Sequence, residues 1–228
     1  MSEPVDRSIR SYVLRAGRMT EAQRRALDEL WASYGLEFEA GKRLDLGLAF
    51  GNSRPVVAEI GFGMGEATWR IALARPETNF LGFEVHTPGV GRLLLDLRAK
   101  GIDNVRVIHH DAIEVFEGML EPGALLGLHV FYPDPWPKKR HHKRRLIRDG
   151  LAELLASRIS PGGYLYFVTD IEDYAHWALD VLSRTGILRN RFELFAPHQA
   201  WRPETKFEAH ASRDGRGAWE LLFERIQP

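Results

Sequence analysis

The sequence predicts an α/β fold built on a doubly wound, parallel sheet. Short apolar runs of strand length alternate with helical stretches along most of the 228 residues. The first of these runs, PVVAEIG, passes straight into a glycine-rich turn, GFGMG, and then into a helix. Polar residues end successive strands, and in such sheets ligands bind at the carboxyl ends of the strands.

The elements follow in order. Residues 1–19 read as a flexible basic tail carrying Arg7, Arg10, Arg15 and Arg18, and residues 20–228 as a single domain. Thr20 followed by Gln23 has the form of a capping box, and the helix it starts runs to about Tyr34 and stops at Gly35. Residues 36–54 read as loop. The strand PVVAEIG is followed by the helix EATWRIALAR, which Pro76 stops, and by the strand NFLGFEV. GVGRLLLDLRAKG is helical with a stop at Gly101, and VRVIHHDA is the third strand. LLGLHVFYPDPW is a fourth strand entering a proline loop. HHKRRLIRDGLAELLASRI then reads as one helix, and Pro161-Gly162-Gly163 as a turn into the strand YLYFVTD. A helix around YAHWALDVLSRTG and late strands near RFELFA and GAWELLFERI complete the chain.

Composition narrows the function. At 44% hydrophobic residues the chain can bury a sizeable core. It has no cysteine, which excludes disulfides, a thiolate nucleophile and a Cys-based zinc site, and agrees with a cytoplasmic location. No apolar run reaches membrane-spanning length and the N-terminus lacks a signal-like apolar region. Net charge is zero, but seven Lys or Arg and no acid lie between Lys138 and Arg148, leaving the remainder at minus seven. Such segregation lets one face meet a polyanion. The nine histidines have no metal-ligand spacing: His141 and His142 diverge on a helix, and His109 and His110 point to opposite faces of a strand. No metal is expected.

The glycine turn has the spacing G-x-G-x-G (Gly61, Gly63, Gly65), and Glu59 precedes it by two residues. A carboxylate there repels a diphosphate and suits a cation. S-adenosylmethionine carries a sulfonium and an ammonium and no phosphate, and glycines permit the close backbone approach it requires. Glu84, ending the second strand, is placed to take ribose hydroxyls, and Asp111, ending the third, to accept from an adenine amino group. Residues 131–145, FYPDPWPKKRHHKRR, combine a stiff turn holding Asp134 and Trp136 with a cationic strip. An acid and an aromatic beside dense positive charge suit a site that grips one nucleobase while the strip holds phosphates.

AEIGFGMG, GFEVHTPGVGRLL, HHDA, YPDPWPKKRHHKRR, YFVTD and TKFE together resemble the bacterial tRNA (guanine-N7-)-methyltransferases over most of the chain. The proline-basic stretch and TKFE are the specific parts. The resemblance implies a Rossmann-like class I methyltransferase fold, a doubly wound, mostly parallel sheet with a late antiparallel strand. It implies S-adenosylmethionine as donor and a variable-loop guanine, position 46 of tRNA, as target. By that likeness Glu59, Gly61, Gly63, Gly65, Glu84, Asp111 and Asp134 serve the cofactor or the methyl-transfer point, with Asp134 catalytic. Lys138, Asp170, Thr205, Lys206, Phe207 and Glu208 contact substrate, and Arg140, His141, His142, Lys143, Arg144 and Arg145 touch RNA. The chain is expected to act in the cytoplasm as a monomer or homodimer with no partner subunit.

Guanine N7 carries an unprotonated lone pair, so its methylation needs orientation and no general base. N7 gains positive charge in the transition state, which a carboxylate at Asp134 favours. Asp170 and Glu208 are the acceptors for guanine N1–H and its 2-amino group, a pattern adenine cannot match. Competing readings are an adenine or cytosine amino-methyltransferase, whose Asn/Asp-Pro-Pro-aromatic loop PDPW loosely matches, an RNA-binding module without cofactor, and a nicotinamide-dependent dehydrogenase, against which Glu59 speaks.

Overall fold

In the computed structural model, which describes residues 10–13, 17–204, 208 and 217–227, strands and helices alternate as the hydrophobic pattern requires. The described residues divide into two compact units. One carries helices α1 (Glu21–Tyr34), α2 (Leu46–Phe50), α3 (Glu66–Ala74), α4 (Thr87–Lys100) and α5 (Ala112–Gly118) with strands β1 (Val56–Ile60), β2 (Asn79–Phe83) and β3 (Val105–Ile108). The other carries strands β4 (Leu125–Phe131), β5 (Ile159–Thr169), β6 (Leu188–Asn190) and β7 (Trp219–Arg225), helices α6 (Leu151–Ser157) and α7 (Glu172–Ser183), and the segment Arg10–Val13.

In the first unit the strand order is β3-β2-β1, all parallel. All five residues of β2 are buried, as expected of a strand covered on both faces. Helix α4 presents Val90, Leu93, Leu94 and Leu97 at helical spacing, all without accessible surface. The predicted capping box is present: the Thr20 hydroxyl accepts from the Gln23 N–H at 3.2 Å, and the Gln23 side chain accepts from the Thr20 N–H at 2.8 Å. Gln23 then donates to the Pro88 carbonyl, tying α1 to α4. Two short helices were not expected from the sequence. The Asp45 side chain accepts from the Leu48 N–H to start α2, and that of Asp111 accepts from the Ile113 N–H to start α5.

In the second unit the order is β4-β5-β7-β6, with β4 and β5 parallel and β7 antiparallel to both of its neighbours. The expected late antiparallel strand is therefore β7. The expected strand at RFELFA is displaced: β6 occupies Leu188–Asn190 and residues 191–194 form bends. Pro161-Gly162-Gly163 lies within β5, beside an irregularity in its pairing between Leu125 and Gly127. The long helix expected from His141 is broken as well. The basic run folds as a 3-10 helix, Lys139–Arg144, and α6 starts only after Gly150, whose φ of 77° and ψ of −47° interrupt the helix. No helix among the described residues is long and apolar enough to cross a membrane.

Candidate functional site

In the first unit, parallel pairing brings three strand ends level: Ile60 pairs with Phe83 and Phe83 with Ile108. Gly61, Gly63 and Gly65 all have positive φ (73°, 57° and 76°), the region that favours glycine. A Cβ at Gly61 or Gly63 would meet nothing within 4 Å, so backbone conformation dictates these glycines and leaves the loop open to a ligand. At Gly89 the reason is contact: its Cβ would fall 2.1 Å from the Gly63 carbonyl, so α4 seats directly on the loop.

The Glu84 carboxylate is fixed by three backbone donors, Gly63 N–H at 2.8 Å, Val85 N–H at 2.7 Å and His86 N–H at 2.9 Å. It thereby sets the shape of the glycine loop. Glu59 lies inside β1 and is buried, with the Thr68 hydroxyl donating to its Oε2 at 2.8 Å. Burial pushes its carboxyl up from 4.5 to about 7; the Thr68 hydrogen bond works against the rise, and the nearby Glu84 charge adds to it. Asp111 caps α5 through Oδ1 at 2.8 Å, so that oxygen already has a structural task.

In the second unit, Phe131 pairs with Val168, so the segments holding Asp134 and Asp170 leave parallel strands at the same end. The Asp134 loop is strained. Tyr132 (φ 50°) and Trp136 (φ 45°) are the non-glycine residues with positive φ among those described, and each stands directly before a proline. Hydrogen bonds from outside the turn help to hold the loop. The Val13 N–H donates to Asp134 Oδ2 at 3.2 Å, the Trp136 indole N–H donates to the Ser11 carbonyl at 3.1 Å, and Arg145 Nε donates to the Pro135 carbonyl at 3.0 Å. Arg10–Val13 thus packs on the loop, a contact no sequence signal announced.

The Tyr132 hydroxyl donates to Glu208 Oε1 at 2.5 Å, bringing Glu208 to the loop two residues before Asp134. Thr205, Lys206 and Phe207, also expected to contact substrate, lie outside the described residues. Trp136 is nearly buried, with the Arg144 guanidinium 4.2 Å from its ring centre and the His141 ring edge-on to it. With the indole this far buried and the Arg144 guanidinium over its ring, little of it is open to a base.

The cationic strip is sorted by exposure. Lys138, Lys139, Arg140 and Lys143 are exposed; His141, His142 and Arg144 are partly covered. Arg145, also expected to touch RNA, has no accessible surface. No group of three or more metal-ligating side chains occurs among the described residues.

Over residues 53–221 the chain matches a family model described as "Putative methyltransferase". It is 52% identical to the tRNA (guanine-N(7)-)-methyltransferase of Neisseria meningitidis serogroup C, covering 97% of this chain and 92% of that protein. The protein of the same name from Bordetella pertussis is 51% identical, over 95% and 85% of the two chains. The chain belongs to the tRNA (guanine-N7-)-methyltransferase family. Among solved structures it is similar to the antibiotic-resistance methyltransferase Kmr (TM-score 0.52, 16% identity, 94% of this chain and 98% of that one). It is also similar to a point mutant of the 16S rRNA (adenine(1408)-N(1))-methyltransferase from Catenulisporales acidiphilia, solved with its cosubstrate SAM (TM-score 0.54, 18% identity, 83% and 96%). At these identities the likeness concerns the fold, which is that of the class I methyltransferases.

Proposed function

We propose that this enzyme transfers a methyl group from S-adenosylmethionine to N7 of a variable-loop guanine, position 46 of tRNA, and that it does so in the cytoplasm without a general base. The observation that carries the reading is Asp134, presented at the end of β4 between two left-handed residues. Strain of that kind costs about 1–3 kcal/mol per residue and persists where the surroundings over-determine it. Family membership and the exposed cations beside the loop support the tRNA as substrate.

The first unit's residues fit the donor. Gly61 and Gly63 leave open space at the backbone. Glu84 is held by three N–H groups and keeps acceptor capacity for a ribose hydroxyl. Buried Glu59, raised to about 7, is relieved by a positively charged neighbour. Asp111 accepts from the adenine amino group. When bound, the donor supplies an electrophilic methyl on a sulfonium.

Guanine N7 attacks the methyl carbon in line, and the bond to sulfur breaks as the bond to nitrogen forms. Asp134 orients the base and offsets the positive charge that N7 acquires. Asp170 and Glu208 accept from guanine N1–H and the 2-amino group, discriminating against adenine by about 1–3 kcal/mol by analogy with bidentate base contacts. Lifting the base from its stack costs a few kcal/mol, offset in part by phosphate contacts from Lys138 and the neighbouring cations. Thr205, Lys206 and Phe207 complete the substrate contacts in this reading.

Asp134→Ala is expected to lose nearly all tRNA methylation while the fold survives, as read by circular dichroism. Wild-type turnover in that variant contradicts the assignment.

A further inference from the structure

We propose that Arg145 is a positioning residue for methyl transfer, holding the Asp134 carboxylate in place through the Pro135 carbonyl, and that it makes no contact with RNA. The proposal rests on the reading of Asp134 given above and deepens it. Arg145 lies within the basic run in sequence, yet it is one of the largest fully buried side chains among the described residues. Its Nε donates to the carbonyl of Pro135, the residue directly after Asp134, at 3.0 Å. Its Nη2 pairs with the Asp173 carboxylate in the first turn of α7. The rings of Tyr174 and Trp177, on the same helix, lie 4.8 and 5.1 Å from the guanidinium carbon.

Those rings are themselves fixed to the backbone two residues beyond Arg145. The Tyr174 hydroxyl accepts from the Ile147 N–H at 3.2 Å, and the Trp177 indole N–H donates to the Ile147 carbonyl at 2.7 Å. Helix α7 therefore fixes the guanidinium, and the guanidinium fixes the loop. A planar fork can bond in two directions and lie against aromatic faces at once; a lysine ammonium does not reproduce that geometry. The loop needs such a tie because Tyr132 and Trp136 hold left-handed conformations that the chain alone disfavours. The other ties run to Ser11 and Val13, in the N-terminal segment of the same unit, whereas the Arg145 bond comes from a side chain with no accessible surface.

The test compares wild type with Arg145→Met, Arg145→Lys and Asp173→Asn. Steady-state methylation of unmodified tRNA gives kcat and KM, with kcat expressed per S-adenosylmethionine site counted by calorimetric stoichiometry, so that a smaller folded fraction is not mistaken for slower chemistry. tRNA affinity is measured across salt concentration. For Arg145→Met, kcat is expected to fall about 10²-fold, the cost of a small misplacement of a reacting group. Donor affinity, tRNA affinity and the salt slope remain at wild-type values, and Arg145→Lys recovers part of the loss. Asp173→Asn, changed at the surface end of the pair, lowers kcat in the same way but less.

Undiminished kcat in Arg145→Met overturns the proposal. So does a loss confined to tRNA affinity with a salt slope about 0.7 shallower, which marks a phosphate contact. Where both Arg145 variants fail to fold, Asp173→Asn decides, and an unchanged kcat in it overturns the proposal. A wild-type protein that does not methylate tRNA would instead defeat the reading of the function, an outcome distinct from any of these.

Discussion

Glu59 is the residue whose environment makes the most specific statement about the cofactor. The folded chain holds its proton up to about pH 7, whereas a solvated glutamate releases it near 4.5. The stability this group contributes is therefore fully present below about pH 4.5 and is lost as pH rises towards 7. A cationic ligand favours the ionised form, so it binds more tightly as pH rises through that range. Calorimetry between about pH 5.5 and 8 should show S-adenosylmethionine affinity weakening by up to about tenfold per unit below 7, with a proton released on binding. Glu59→Gln should flatten the profile. A wild-type affinity indifferent to pH contradicts the role of Glu59. Asp134 carries a second prediction at this scale: in the proposed mechanism, which uses no general base, kcat at saturating donor and tRNA should stay flat between about pH 7 and 9, and a rate rising about tenfold per unit would point to a deprotonation step.

At the scale of elements, the 3-10 helix and the turn after it decide how the cations are used. Four exposed cations, Lys138, Lys139, Arg140 and Lys143, predict that log K for tRNA falls by about three per decade of salt. Replacing Lys139 and Arg140 with Gln should make that slope shallower by about 1.4 while leaving kcat at saturating tRNA near wild type. An unchanged slope removes this element from the interface. The turn is equally testable: Gly150→Ala forces a side chain into a φ of 77° with ψ of −47°, a conformation that L-residues rarely adopt, which should cost about 1–3 kcal/mol and lower the thermal midpoint.

The elements also show what a sequence can and cannot disclose. The capping box at Thr20, the glycine loop, the strand-end acids and the stop at Gly101 were all legible, because each depends on residues within a few positions of one another. Arg145 was not. By type and position it is one more cation in a basic run, and its burial is decided by Asp173, Tyr174 and Trp177, some thirty residues away. The break before α6 was hidden because Arg145 to Gly150 reads acceptably as helix in sequence, whereas the chain leaves helical geometry at Arg145 (ψ 136°) and re-enters it only after Gly150. The caps at Asp45 and Asp111 were visible signals for α2 and α5, and the shortness of those helices obscured them. Glu208 was expected among the substrate contacts only through the family likeness, and the Tyr132 hydroxyl donates to it beside the Asp134 loop.

For the whole molecule, a net charge of zero conceals an uneven distribution, seven positive residues within Lys138–Arg148 against a negative remainder, and that unevenness is what fits an electrically neutral chain to a polyanion. Within one unit lie the glycine loop and the acids suited to a cationic donor; within the other lie the strained loop and the exposed cations. The most direct test is to incubate the purified protein with unmodified tRNA and methyl-labelled S-adenosylmethionine, then locate the label by nucleoside mass spectrometry and mapped cleavage. The label is expected as 7-methylguanosine at one site in the variable loop. Label on an exocyclic amine of adenine or cytosine, or tRNA that stays unlabelled, would contradict the account.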